Sequence, residues 1–105
     1  MIVEMRTYTL RPGKVPAYLD VYQREAFGVQ TKCLGNLIGW FTADTGTLNQ
    51  VVHMWGYQNL EERARRRDEL YKLPEWQAVL PKLLELIVTM ESKILLPTEF
   101  SPVRP

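Results

Sequence analysis

The sequence predicts a ferredoxin-like α+β domain, in which four strands form one antiparallel sheet with helices on one face. Three observations support this prediction. Strand-like and helix-like patterns follow one another in the order β-α-β-β-α-β. A short connection containing glycine joins the two middle strands, as in a hairpin. The length of 105 residues is that of one domain, so we expect residues 1–105 to form a single unit.

The first half of the chain begins with a strand at residues 2–10, which alternate and are rich in β-branched and aromatic side chains. After a Pro-Gly turn, Pro16 lies in the first turn of a helix, where its missing N–H costs little. Apolar residues at helical spacing follow, and they are Val15, Tyr18, Leu19, Tyr22 and Ala26. This pattern decays near Phe27, although the helix can continue towards Cys33 before Gly35 ends it.

The second and third strands are expected at residues 37–43 and 48–57, with Gly46 as the left-handed residue of the hairpin between them. The next helix is expected to begin at Asn59, because Glu62 follows three residues later as in a capping box. The positions expected to face inward on this helix are Leu60, Ala64, Arg67 and Tyr71.

A further helical segment is expected from Pro74, with a kink at Pro81. The positions that we expect it to bury are Trp76, Val79, Leu80, Leu83 and Leu84. The fourth strand is predicted at residues 87–96. Three prolines in residues 97–105 predict an extended C-terminal tail, with Phe100 as an apolar anchor.

Neither face of the predicted sheet is convincingly polar. One parity of the strands carries Ile2, Tyr8, His53 and Trp55, and the other carries Val3, Met5, Val52, Met54, Val88 and Met90. Helices can cover only one face, and an apolar face left bare tends to associate. We therefore expect a homodimer with sheet packed on sheet.

Composition excludes several classes of function. A net charge of +1 gives no general attraction to nucleic acid or to an anionic membrane. No apolar run approaches the ~18 residues of a membrane span. The single Cys33 cannot form an internal disulfide, and the strand pattern begins at once, without the pattern of a signal peptide. We therefore expect a cytoplasmic protein, of bacterial origin.

The candidate site is a set of polar side chains on the central strands. Glu4, Arg6 and Tyr8 share a parity on the first strand, and the third strand carries His53 and Trp55. In the ferredoxin-like order 4-1-3-2 these strands are neighbours, so we expect the side chains to converge with Glu91 of the fourth strand.

Two interpretations of this set stay open. It is a polar network that fixes strand register, or it is a ligand site, since buried polar groups need partners in either case. Arg6 is expected to pair with Glu4 or Glu91. The catalytic candidates are His53, as an acid or base near neutral pH, and Arg6. The ligand-binding candidates are Tyr8, Trp40, His53, Trp55 and Glu91.

Other motifs are less informative. One histidine and one distant cysteine lack the spacing of a metal site, and no Gly-rich phosphate loop is present, so we expect neither a metal nor a cofactor. Four clustered arginines are interpreted as a solvated helix face or as an anion or partner site, and they are Arg63, Arg65, Arg66 and Arg67. Trp40 and Trp76 are core or dimer contacts, or an aromatic wall for a flat ligand.

Several stretches together resemble the NIPSNAP family. They include R-T-Y-T-L-R-P-G at residues 6–13 and N-Q-V-V-H-M-W at residues 49–55. Shorter matches follow at L-E-E-R, at P-E-W and in the tail L-P-T-E-F-S-P, so the resemblance covers nearly the whole chain. It implies a dimeric α/β barrel, in which two ferredoxin-like subunits join their sheets.

Relatives in that superfamily include cofactor-independent antibiotic-biosynthesis monooxygenases, haem-handling proteins and ligand-binding barrels. The animal members resemble mitochondrial proteins with a targeting sequence and a second such domain, so their location and partners are not expected for this sequence. Three hypotheses therefore stay open. The first is binding of a small apolar or aromatic ligand between sheet and helices, in a pocket ringed by Tyr8, Trp40, His53 and Trp55. The second is a cofactor-independent monooxygenase- or isomerase-like enzyme, and the third is a protein-interaction module.

Overall fold

The computed structural model describes residues 1–105 and confirms the ferredoxin-like fold. The strands are β1 (Ile2–Leu10), β2 (Asn36–Thr42), β3 (Gln50–Tyr57) and β4 (Ile87–Leu95). The helices are α1 (Val15–Val21), α2 (Phe27–Leu34), α3 (Leu60–Tyr71) and α4 (Pro74–Leu84). All strand pairs are antiparallel, and the sheet order β2-β3-β1-β4 is the predicted one. None of the helices is both long and apolar enough to cross a membrane.

Strand register decides which side chains meet beneath the helices. In the sheet, Arg6 of β1 lies opposite His53 of β3 and Ser92 of β4. Side chains alternate along each strand, so the even-numbered residues of β1 share the inner face with the odd-numbered residues of β3. Trp55 and Leu10 of this inner face are almost completely buried, and they belong to one core with α1, α2, α3 and α4.

A π-helical segment, Tyr22–Ala26, joins α1 to α2 without a break. The buried side chains of this long helix recur every four residues, at Tyr18, Tyr22, Ala26, Gln30 and Leu34. In a regular α-helix each such step drifts by about 40° around the axis, and a wider π turn offsets that drift. This segment is the physical reason that the α-helical apolar pattern decays near Phe27.

Helix α3 begins as predicted, because the Asn59 side-chain oxygen accepts a hydrogen bond of 2.8 Å from the Glu62 N–H. The prediction of its inner face is wrong for three of four positions, because Leu60, Ala64 and Tyr71 are exposed. The buried apolar residue is Leu70, and three of the clustered arginines are half-buried. This helix covers the buried carboxylate of Glu4, to which Arg63 donates a hydrogen bond.

The outer face of the sheet is apolar at its centre. Met5, Val52 and Met54 are half-buried there, and Phe41 is 54% exposed. Met90, predicted on this face, lies opposite Tyr8 and lines the inner side instead. The tail is not simply extended: the Ser101 N–H donates to the Thr98 carbonyl in a turn, which leaves the Phe100 side chain 90% exposed.

Candidate functional site

A cavity of about 250 Å³ lies between the inner face of the sheet and the helices. Arg6, Tyr8 and His53 of the sheet line its floor. Tyr18, Tyr22 and Gln30 line one wall, and the opposite wall is formed by Trp76, Leu80 and Leu83 of α4. Tyr71, Leu84 and Met90 line it too and are each more than 40% exposed, so they mark its mouth. The cavity is therefore mainly aromatic and aliphatic, with a polar floor.

His53 is held in one orientation and one tautomer. Its ring stacks on Trp40, with centroids 5.1 Å apart, and meets the edge of Tyr8 at the same distance. The indole N–H of Trp55 donates to its Nδ1 at 2.7 Å. An imidazole nitrogen that accepts a hydrogen bond carries no proton, so the proton of the neutral ring lies on Nε2.

The Nε2–H of His53 is a buried donor without a partner in the chain. Burial, together with the positive charge of Arg6, lowers the pKa of His53 to about 3. The ring is therefore neutral at physiological pH, with a fixed N–H donor and no free basic nitrogen. The predicted role as a base near neutral pH is not supported by this environment.

Glu4 anchors the cations beneath the cavity. Its Oε2 accepts hydrogen bonds from Arg6 at 2.9 Å, from Arg63 at 2.8 Å and from the Ser92 hydroxyl at 2.6 Å. Burial raises the pKa of this carboxyl, but the hydrogen bonds from Arg63 and Ser92 and the charges of both arginines outweigh it and hold the pKa at about 2. Glu4 is therefore ionised throughout the physiological range.

The phenols of the cavity are neutral hydrogen-bonding groups. The Tyr8 hydroxyl accepts from the Nε of Arg6 at 2.7 Å, and the Tyr22 hydroxyl donates to the side-chain oxygen of Gln30. Burial raises the pKa of Tyr8, Tyr18 and Tyr22. None of them supplies a phenolate near neutral pH.

Arg67 is the second cation of the cavity and comes from α3. Its guanidinium lies 5.5 Å from the ring centre of Tyr71, with a long contact of 3.4 Å to the hydroxyl. Arg67 is half-buried, so it is the one α3 position whose predicted inward orientation is confirmed. The interpretation of the arginine cluster as a solvated helix face is wrong for two of its members. Arg63 donates to Glu4, and Arg66 donates to the Cys33 carbonyl at 3.1 Å.

The structure brings together only part of the predicted set. Arg6, Tyr8 and His53 line the cavity. Trp40 and Trp55 do not line it but contact His53, the first by stacking and the second by a hydrogen bond. The prediction for Glu91 is wrong, because this residue lies opposite Thr7 on the outer face. Its Oε1 is 3.5 Å from the ammonium of Lys93.

The register of β4 against β1 explains why Glu91 does not join the other predicted site residues. Ser92 stands opposite Arg6, and neighbouring strand residues point to opposite faces, so Ser92 rather than Glu91 reaches Glu4. Sequence reasoning also missed Arg63 as a partner of Glu4, because only the tertiary fold brings α3 above β1. No three His, Cys, Asp or Glu side chains lie close enough together to hold a metal ion.

Comparisons with known proteins identify the family of this chain. The family model described as NIPSNAP matches residues 3–102. A NipSnap homologue of Dictyostelium discoideum is 34% identical over 97 residues, covering 91% of this chain and 42% of that protein. Human NipSnap homologue 2 is 31% identical, over 98% of this chain and 35% of its own length. The chain thus spans less than half the length of these relatives.

Solved structures match the fold closely. A NIPSNAP family protein from Agrobacterium tumefaciens has a TM-score of 0.96 and 50% identity, covering 98% of both chains. An antibiotic biosynthesis monooxygenase has a TM-score of 0.65 at 11% identity, covering 93% of this chain and 99% of its own, and shares the fold alone. The family match over nearly the whole chain and the matching fold of the solved structure lead to one conclusion: this chain belongs to the NIPSNAP family.

Proposed function

We propose that this protein binds a small aromatic or apolar organic molecule in the cavity between the sheet and the helices. The observation that carries the proposal is the buried, unpartnered Nε2–H of His53 on the floor of an otherwise aromatic cavity. A buried donor costs free energy unless it is paired, and a ligand acceptor would pair it. Apolar walls with a few oriented polar groups are typical of small-molecule sites.

The size of the cavity limits the ligand. A dry cavity of about 150 Å³ is enough to hold benzene. The 250 Å³ of this cavity therefore suits one ring with a short substituent. A nucleotide or an extended polycyclic compound would need the walls to move apart.

The experiment is an NMR screen with phenol, indole and toluene. Binding is followed on the signals of the ligand and on the indole N–H resonance of Trp76. Trp76 lines the cavity and its Nε1 has no hydrogen-bond partner, so its resonance is sensitive to an occupant. Leu80→Trp should fill the cavity and abolish binding. Leu60→Trp adds the same indole at an exposed position and should leave binding unchanged. Binding by neither the wild type nor Leu60→Trp would overturn the proposal.

A second candidate function is a cofactor-independent enzyme that stabilises an enolate. The observation that favours it is the pairing of a neutral imidazole N–H with the guanidinium of Arg6 on one floor, an arrangement suited to a developing oxyanion. The base in this reaction would be solvent hydroxide, because no residue that lines the cavity is basic at neutral pH. Exchange of the α-protons of a bound ketone with deuterated solvent should then be faster than in buffer. Its loss in His53→Leu, which removes the N–H donor, would support this function over simple binding.

We also infer that the active form is a homodimer that joins the outer sheet faces. The half-buried Met5, Val52 and Met54 and the exposed Phe41 support this inference, because such a face is stabilised by a second copy. Light scattering should give twice the chain mass. Met54→Arg should give a monomer, whereas Glu61→Arg on the exposed surface of α3 should not.

A further inference from the structure

We propose that the ligand is an aromatic carboxylate, with its acid group held by Arg6, Arg67 and His53. This inference rests on the proposed binding function and names the class of molecule bound. Its basis is the combination of donors in one cavity: two guanidinium groups and one neutral imidazole N–H. Such a combination favours an acceptor that carries negative charge.

Charge is the first argument. Both charged residues that line the cavity are arginines, and no carboxylate lines it. The nearest acid, Glu4, is already shared by Arg6, Arg63 and Ser92 through a single oxygen. One carboxylate therefore faces three guanidinium groups, counting Arg67, and the cavity carries surplus positive charge.

Unused hydrogen-bonding capacity is the second argument. Arg6 uses Nε for the Tyr8 hydroxyl and Nη1 for Glu4, and its Nη2 makes no hydrogen bond within the chain. Arg67 makes only the long contact to the Tyr71 hydroxyl. His53 is 1% exposed, with its Nε2–H unpaired. A carboxylate has two oxygens that can accept from a guanidinium and an imidazole at once.

Shape is the third argument. The aromatic and aliphatic walls formed by Tyr18, Tyr22, Trp76 and Leu83 leave about 250 Å³, which suits one ring and a one- or two-atom acidic arm. The ring would lie against these walls while the acid reaches the floor. Benzoate and phenylacetate are the simplest probes of this shape.

The test compares matched ligands on the wild-type protein by NMR titration at neutral pH. Benzoate and phenylacetate should bind about tenfold or more tightly than benzamide and phenylacetamide, since a charged acceptor strengthens each hydrogen bond. Equal affinity of acids and amides would overturn the carboxylate assignment and leave the binding function standing. Tighter binding of benzylamine would reverse the sign of the charge, and tighter binding of phenyl phosphate would replace the carboxylate class. Absence of binding by every probe would overturn both proposals.

Variants locate the acid group. Arg67→Gln should remove about tenfold of the carboxylate affinity while leaving the amide affinity unchanged. Arg65→Gln is the matched control, because it removes the same charge from an exposed position of the same helix and should change affinity less than twofold. Equal losses of carboxylate affinity in the two variants would attribute the loss to the overall positive charge of the helix and contradict the assignment. Arg67→Lys keeps the charge without the planar fork and should restore only part of the affinity.

Discussion

The buried carboxylate of Glu4 makes the stability of this fold depend on pH in a defined window. Its pKa in the folded chain is about 2, against an ordinary value of 4.5. Because the folded pKa is the lower one, the unfolded chain takes up this proton first as the pH falls. The stabilisation from the charged carboxylate is thus complete above about pH 4.5 and is lost as the pH falls towards 2.

The size of the effect follows from the same two values. At about 1.4 kcal/mol per pKa unit, the difference corresponds to about 3 kcal/mol of unfolding free energy. Glu4→Gln removes the titrating group but keeps its shape, so the variant should lack this part of the acid loss. It should also be less stable at pH 7 by about 3 kcal/mol, because Arg6 and Arg63 lose their buried counter-charge.

The assay is urea denaturation at a series of pH values from 7 down to 2.5. His53 adds a slope of the same sign between its ordinary 6.5 and about 3, so the informative quantity is the difference between the wild type and Glu4→Gln. Glu91→Gln is the control, since it removes an exposed carboxylate from the other face of the same sheet. Parallel stability curves for the wild type and Glu4→Gln below pH 4.5 would refute the argument.

Three further outcomes are expected. His53→Leu should lower the unfolding free energy by about 1–3 kcal/mol in neutral urea melts, because the Trp55 indole N–H is left without an acceptor; an unchanged melt would show that this bond is dispensable. Gly35→Ala should destabilise by about 1–3 kcal/mol, because φ is +90° there and the new Cβ would lie 3.0 Å from Arg66; Gly28→Ala, with open space around it, is the control. Deletion of residues 97–105 should weaken the proposed dimer, so a dilution series with an unchanged dissociation constant would assign the tail no such role.

Much of this fold follows from short-range pattern. Strand alternation and the order of elements are enough to predict that Arg6 and His53 are neighbours on one face, and the register confirms it. The start of α3 follows from Asn59 and Glu62 alone. These features depend on contacts within a few residues or on the topology of the fold class.

The remaining features depend on contacts that periodicity does not encode. The register between β1 and β4 shifts at Thr9 and Leu10. Alternation along β4 alone therefore does not predict the face of the sheet on which the Glu91 side chain lies. Arg63 of α3 turns inward because Glu4 lies beneath it, 59 residues away in sequence. A helix with a cationic inner face looks solvent-exposed until its buried partner is known.

The hydrogen bond from Trp55 to His53 has a consequence for how the cavity responds to acidity. It leaves the imidazole proton on Nε2, and the His53 pKa of about 3 keeps the ring in this neutral form through the physiological range. Guanidinium groups do not titrate there, and burial raises the pKa of Tyr8, Tyr18 and Tyr22 further above this range. The charge of the cavity therefore stays constant over this range. Under the proposed binding function, any change of affinity between mildly acidic and mildly basic solution would report the ionisation of the ligand rather than that of the protein.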